Sequence, residues 1–457
     1  MTESLAPASF AIDWDQVRDE VVAHLQALIR LETVNPPGNE ITVARYLERV
    51  LRAEAIEVRV VEPAPGKAAL RATLPGSGSA GGPLLLLAHM DVVPVERAKW
   101  SVDPFAGEVR EGYVYGRGAI DDKGMLAVNL VTLLLLQRWR RAGGTLDRDV
   151  ALVTTSDEET GGAHNIGWVG TYHPELLEGT DAINEGGRVR IVGGRTLYAA
   201  VQCAEKVSHR VTLTTTGPAG HASIPLADNA LWRLGRALAA LGAHREPLTL
   251  IPTTEAFFRT LASVWPDAEQ AAAMADLVSG DPGRAALGEA AIARIPNLDA
   301  LVRAGVSATV VRGGEGPNVI PGEARATLNV RTLPGQTIDE VLQRVTATID
   351  DPRVQLTVEA SGVDAPCTPH DARVYEAMAA SARELVPDLA VVPYLSTGAT
   401  DSAVLRSLGV RCFGILPFPL EPQDESRMHG HDERVPVEGL RWGVQLLWGT
   451  VTRAAIG

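Results

Sequence analysis

Three stretches of this chain run through unbroken apolar residues and then stop on acids or a histidine: residues 83–91 (PLLLLAHMD), 149–159 (DVALVTTSDEE) and 181–187 (DAINEGG). A strand with one wet face alternates apolar and polar residues. A run without alternation therefore predicts a strand buried on both faces. Such strands need helices above and below them, which points to an α/β sheet with helical crossovers. Residues 125–139 have the apolar content of one crossover helix. Residues 13–32 place Val17, Val21, Leu25, Leu28 and Ile29 at helical spacing and are stopped by Asn35-Pro36-Pro37-Gly38; residues 40–55 read as a second helix. In every run the polar cluster follows the strand, where open α/β sheets place their ligands.

The pattern changes in the middle of the chain. Residues 208–216 alternate like a half-exposed strand, 323–332 and 354–360 are further strands, and 229–241 and 338–349 are amphipathic helices. That is a small α+β unit of ferredoxin-like order. Residues 246–304 are Ala-rich and mostly helical, and read as an insertion. From Asp371 the helical and buried-strand patterns return and end in a helix over 437–451. At 457 residues the chain exceeds one ordinary core. The expectation is one sheet domain, residues 1–200 and 362–457, split by a smaller domain over 201–361.

A formal net charge of −14 argues against nucleic acid or an anionic membrane as partner. Residues 1–17 show no basic stretch leading into an apolar run, so no secretory leader is expected. The longest apolar run, 125–136, is too short to span a bilayer. Cys203, Cys367 and Cys412 form no paired framework and no CxxC knuckle. A reducing cytoplasm is the expected compartment, and any metal must take histidine and carboxylate ligands.

Beyond the strand ends stand His89 and Asp91, Asp121 and Asp122, Asp157, Glu158 and Glu159, and Glu185; "RMHGHDERV" adds His429, His431, Asp432 and Glu433. Carboxylates gathered there would repel one another and lose hydration, and bound divalent cations are the common resolution. Imidazoles with carboxylates and no thiolates suit zinc, with cobalt or manganese as alternatives.

With "NPPG", "AHMDVVP", "GRGAIDDKG", "TSDEETGG", "NEGG", "GHASIP", "GPNVIPGEA", "NVRTLPG" and "HGHDE" in this order, the chain resembles the zinc-dependent aminoacylase and carboxypeptidase family. That family includes acetylornithine deacetylase, succinyl-diaminopimelate desuccinylase, carboxypeptidase G and carboxypeptidase S. "NEGG" and "AEK" look closest to the carboxypeptidase S branch, although Val207 stands where a glycine is usual there. The resemblance implies a zinc-peptidase-like mixed sheet flanked by helices, with the inserted ferredoxin-like domain serving as lid and dimerisation element. It implies two divalent ions, His89 and Glu185 on one, Glu159 and His429 on the other, and Asp121 bridging both. Four positive charges against three carboxylates leave the cluster positive by one, which favours an anionic substrate. Asp91 would fix the ring of His89, and Glu158 would act as general base.

The resemblance further assigns oxyanion stabilisation to His221, acting across a homodimer in relatives. It assigns the substrate carboxylate to Asn318 and Arg331, and places Thr400 and Asp401 on a substrate-lining loop. His431 competes with His429 for the ligand role, but the family spacing starts from His429. His164 and His209 read as structural. Of the two adjacent aspartates, the spacing selects Asp121 as the bridge and leaves Asp122 to hold the bend, with a cis bond expected between them. The implied activity is hydrolysis of an amide or peptide bond next to a free carboxylate, in an N-acyl amino acid or a short peptide. A di-zinc aminopeptidase or dipeptidase is the alternative, and a non-catalytic binding relative a third reading.

Overall fold

The computed structural model describes residues 10–456; most of the stretch read above for a leader lies outside them. The described residues fold into two compact units, those up to 203, 368–394 and from 400 onward in the first, and 204–367 and 395–399 in the second. The short piece Leu395–Ala399 thus belongs to the second unit, although the residues on both sides of it belong to the first.

The first unit is built on a ten-stranded mixed sheet. Its order is Glu57–Val61, Ala69–Leu74, Val150–Thr155, Leu84–His89, Asp181–Asn184, Arg411–Gly414, Arg195–Glu205, Arg188–Val192 and Pro419–Leu420, with Ala390–Ser396 pairing to Arg195–Glu205. Leu84–His89 lies parallel to both Val150–Thr155 and Asp181–Asn184, and Arg411–Gly414 is parallel to the latter. The unbroken apolar runs have a direct packing cause. Leu84, Leu86 and Ala88 face one core with Val150 and Leu152, whereas Leu85 and Leu87 face another with Ala151 and Val153. Helices Trp14–Ile29, Lys123–Arg141, Arg373–Leu385 and Val437–Ala455 cover the first face. Ile166–Tyr172 and Ser402–Ser407 contribute to the second. Each fully buried leucine contributes about 1.5–3 kcal/mol relative to exposure. Asp13 caps Trp14–Ile29 by accepting from the amides of Asp15 and Gln16.

The second unit holds a four-stranded antiparallel sheet in the order Gly305–Gly313, Glu323–Thr332, Val207–Thr216, Val354–Ser361. Helices Ala230–Ala243 and Ile338–Ile349 pack on one face through Leu234, Ala237, Val341 and Val345, against Val211, Leu213, Leu328 and Val330. Chain order and strand order together make this ferredoxin-like. Strand Gly305–Gly313, not anticipated from the sequence, is an edge strand exposed along most of its length. With no buried face it carries no alternation to read. Helices Pro252–Ala262, Ala268–Leu277 and Pro282–Ile292 occupy the Ala-rich stretch. No helix of the described residues is long and apolar enough to cross a membrane.

Candidate metal centre

Three parallel strands end on one edge of the first unit's sheet, and each delivers a polar group there. His89 closes Leu84–His89, Glu158 and Glu159 follow Val150–Thr155, and Glu185 follows Asp181–Asn184. Asp121 stands at the entrance to helix Lys123–Arg141, and His429 lies in the loop before Arg434–Pro436. Asp121 sits between two imidazoles. Its Oδ1 is 3.0 Å from His89 Nε2 and its Oδ2 is 3.1 Å from His429 Nε2. His429 Nε2 is also 3.2 Å from Glu159 Oε2. The ligand atoms of His89, Asp121 and Glu159 all lie within 4.8 Å of one another. Glu185 stands outside that group of three, yet near enough that its charge raises the pKa of both Asp122 and Glu158. His431 turns away, its Nε2 4.0 Å from Glu96.

The glycine-bracketed turn is held from below. The bond between Asp121 and Asp122 is cis. Asp122 is buried, and its Oδ2 accepts from the amide of His89 at 3.3 Å. Glu433, grouped with the metal-facing acids in the sequence, does another job. Its buried carboxylate accepts from Arg117 Nη1 (2.6 Å) and from the amides of Gly118, Ile120 and Asp121 (3.1, 2.7 and 3.1 Å). Arg117 also donates to the carbonyl of Gly430, beside His429, at 2.8 Å. One ion pair thus fixes the Asp121 turn and the His429 loop together.

Asp91 lies against the ring of His89 with both its carbonyl and its carboxylate. His89 Nδ1 lies 3.0 Å from the backbone carbonyl of Asp91 and 3.4 Å from its carboxylate. The carbonyl two residues on is the nearer acceptor because the chain turns immediately after the strand. The Asp91 carboxylate also accepts from the amides of Glu158 and Glu159, both at 3.2 Å, and so holds the turn that carries the two glutamates.

Burial lowers the pKa of His89, but Asp121 and Asp91 outweigh it and raise the ring well above its ordinary value. Hydrogen bonds to Asp121 and Glu159 push His429 up to about 10. Burial would raise Asp121, but both imidazoles drive it far below the carboxylate range. Burial raises Glu158 well above its usual value, helped by Glu185, Asp401 and Asp121 against the lowering effect of His89. The carboxylates around the two imidazoles thus favour positive charge between them. Glu159 Oε1 is buried without a hydrogen-bond partner. Imidazoles, carboxylates and an orphaned buried oxygen form a donor set that fits divalent cations. Because His429, pushed up to about 10, carries a proton at neutral pH and a ligand imidazole must be neutral, metal binding at pH 7–8 is expected to release at least one proton. Calorimetry in buffers of different ionisation heat measures this, and release below about one proton would contradict the assignment.

The remaining sequence candidates divide between the units. In the first, Thr400 Oγ1 accepts from the amide of Ser402, and Asp401 accepts from Thr155 Oγ1 at 2.6 Å. In the second, His221 and Val319 pair in a two-stranded ribbon, and the carbonyl of Asn318 accepts from the amide of Ala222 at 2.9 Å. His221 is exposed, with Nδ1 accepting from Ser223 Oγ at 2.7 Å. Arg331 is half-buried, and its Nε donates to Asn329 at 3.0 Å. Burial alone lowers its pKa, with no carboxylate contributing. Lys206, singled out in the sequence only through its motif, is buried in the same unit, and burial followed by the charge of Arg331 lowers it to about 8. Both ring nitrogens of His209 are occupied, by Ser361 and Thr332.

A mixed sheet with a ferredoxin-like insertion and a histidine–carboxylate cluster at its strand ends defines a class, and likeness to known proteins agrees. The model of peptidase family M20/M25/M40 matches residues 85–453, and the chain belongs to this family. It is a metal-dependent hydrolase of amide or peptide bonds. Among its relatives is the N-fatty-acyl-amino acid synthase/hydrolase PM20D1 of Xenopus tropicalis, 32% identical over 372 residues, which are 79% of this chain and 70% of the relative. An M20 family metallo-carboxypeptidase of Sulfolobus solfataricus shares the fold with a TM-score of 0.69 at 18% identity, covering 95% of this chain and 99% of the other. A dinuclear metal binding peptidase of the M20 family from Bacillus subtilis does so with a TM-score of 0.60 at 16% identity, covering 96% and 98%.

Proposed function

We propose that the chain is a two-metal hydrolase, with zinc as the expected ion, that cleaves the amide bond of an N-acyl amino acid or short peptide next to a free carboxylate. The observation that carries this is Asp121, whose two oxygens each face a different imidazole. One ion would be held by His89 and Glu185, the other by Glu159 and His429, with Asp121 shared. Ions so held would supply Lewis acidity, polarising the amide carbonyl and lowering the pKa of a water to ~7. Glu158 takes the proton of the attacking water and passes it to the leaving nitrogen, a task for a carboxyl whose pKa is already raised.

In the second unit, Arg331 and Asn318 are proposed to bind the substrate carboxylate, and His221 to donate to the oxyanion. Thr400, in the first unit, is proposed to line the substrate pocket. A half-buried guanidinium with no carboxylate partner among the described residues supports the Arg331 assignment. The apolar Trp232, Val310 and Val311, all exposed on the same unit, support a homodimer surface there. A fatty-acyl-amino acid hydrolase among the relatives supports acyl amino acids as the substrate class. The test is a panel of N-acyl amino acids and dipeptides assayed beside their carboxamide-capped forms. Arg331→Ala should raise KM for the free acids about 10–100-fold and leave the capped forms unchanged, since a charged hydrogen bond contributes about 1.5–3 kcal/mol. Equal hydrolysis of capped and free acids by the unmodified protein would overturn the carboxylate requirement.

A further inference from the structure

The Asn35-Pro36-Pro37-Gly38 stretch enters none of these steps, yet it reaches the turn that carries both glutamates. The buried amide nitrogen of Asn35 donates to Asp91 Oδ2 (2.8 Å) and Asp157 Oδ1 (2.9 Å), with Thr160 Oγ1 at 3.3 Å. Its carbonyl oxygen accepts from Lys67 Nζ at 3.2 Å. The same ammonium lies 2.6 Å from Asp157 Oδ1 and 3.0 Å from Glu40 Oε1. Asn35, Glu40, Lys67, Asp91 and Asp157 are all buried. Gly38, at φ +79°, leaves room for this: a Cβ there would collide with Lys67 Nζ and the carboxylate of Glu40. Asp157 itself has φ +62° and accepts from the amide of His164 at 3.0 Å, which closes the turn around Glu158 and Glu159.

Three buried carboxylates would push this turn apart unless something neutralises and links them. Lys67 places its charge between Glu40 and Asp157, and Asn35 ties Asp157 to Asp91. Asp91 in turn grips the amides of Glu158 and Glu159. We infer that Asn35 and Lys67 are positioning residues for those two glutamates. They act through Asp91 and Asp157 and touch neither metal nor substrate. The inference rests on the reading of the cluster as a metal centre.

The test uses the full metal-loaded chain with Asn35→Ala and Lys67→Met, singly and together. Stepwise zinc dissociation constants come from chelator competition, alongside kcat, KM and melting temperature. Asn35→Ala strands no charge, so it decides the matter if Lys67→Met does not fold. One of the two zinc constants should weaken about 10–100-fold while the other stays within about threefold, the usual effect of losing a group behind a metal ligand. The kcat should fall by a similar factor with KM nearly unchanged. The double variant should be no worse than the poorer single, because both act through one network. A variant that melts earlier but keeps both zinc constants and kcat overturns the inference and leaves only a structural role. An unmodified chain that binds no zinc overturns the metal reading and this inference with it. Two bound ions with unaltered variants overturn this inference alone.

Discussion

Glu158→Gln is expected to lower kcat by about 10²–10⁴-fold while the protein keeps its metal ions. The geometry separates the two adjacent glutamates. Glu159 lies against His429 and is one of the three residues whose ligand atoms converge, whereas Glu158 is not. The environment of Glu158 raises its pKa through burial and through the charges of Glu185, Asp401 and Asp121. A carboxyl whose proton is held more tightly than usual suits a proton-transfer role. The amide of glutamine preserves size and polarity and removes only the proton acceptor. Loss of bound metal in this variant would make Glu158 a ligand, and unchanged turnover would remove it from catalysis. The pH profile adds a check. The acidic limb of kcat should belong to Glu158 in the unmodified protein and vanish from the residual activity of the variant.

Asp121→Asn should be as damaging, through the metals. Each carboxylate oxygen meets a different imidazole, and an asparagine offers one oxygen and one NH₂. At most one ion could then be held well. Bound metal should fall from about two to at most one per chain, and activity by about 10³-fold, since each lost ion removes several kcal/mol of charge stabilisation. The imidazoles also lose the anion that raises them, so His429 should titrate below its present value of about 10. Two ions bound with unchanged affinity would show that Asp121 does not bridge.

What could be read in the sequence was local. Runs such as PLLLLAHMD report burial on both faces, and the structure assigns alternate leucines of that run to two separate cores. Strand ends then specify where His89, Glu158, Glu159 and Glu185 stand. Contacts between distant segments were not legible. Lys67 lies in a Pro/Gly-rich stretch with no periodicity, and its partners Asn35, Glu40 and Asp157 are far from it in sequence. Glu433 looked like one more acid beside a histidine, and only its bonds to Arg117 and three amides separate it from the metal-facing set. A signal did exist: "GRG" carries the cation Arg117, and "HGHDE" ends in the acids Asp432 and Glu433. Gly305–Gly313 escaped notice because an exposed edge strand buries no face and so leaves no pattern.

The most direct test of a two-metal hydrolase is reconstitution. Chelated protein is titrated with zinc while bound metal per chain and hydrolysis of an N-acyl amino acid are measured on the same samples. Activity should be absent in the stripped protein and rise to its maximum as the second equivalent binds. Full activity without metal, or a maximum reached at one bound ion and unchanged by a second, would contradict the proposed centre.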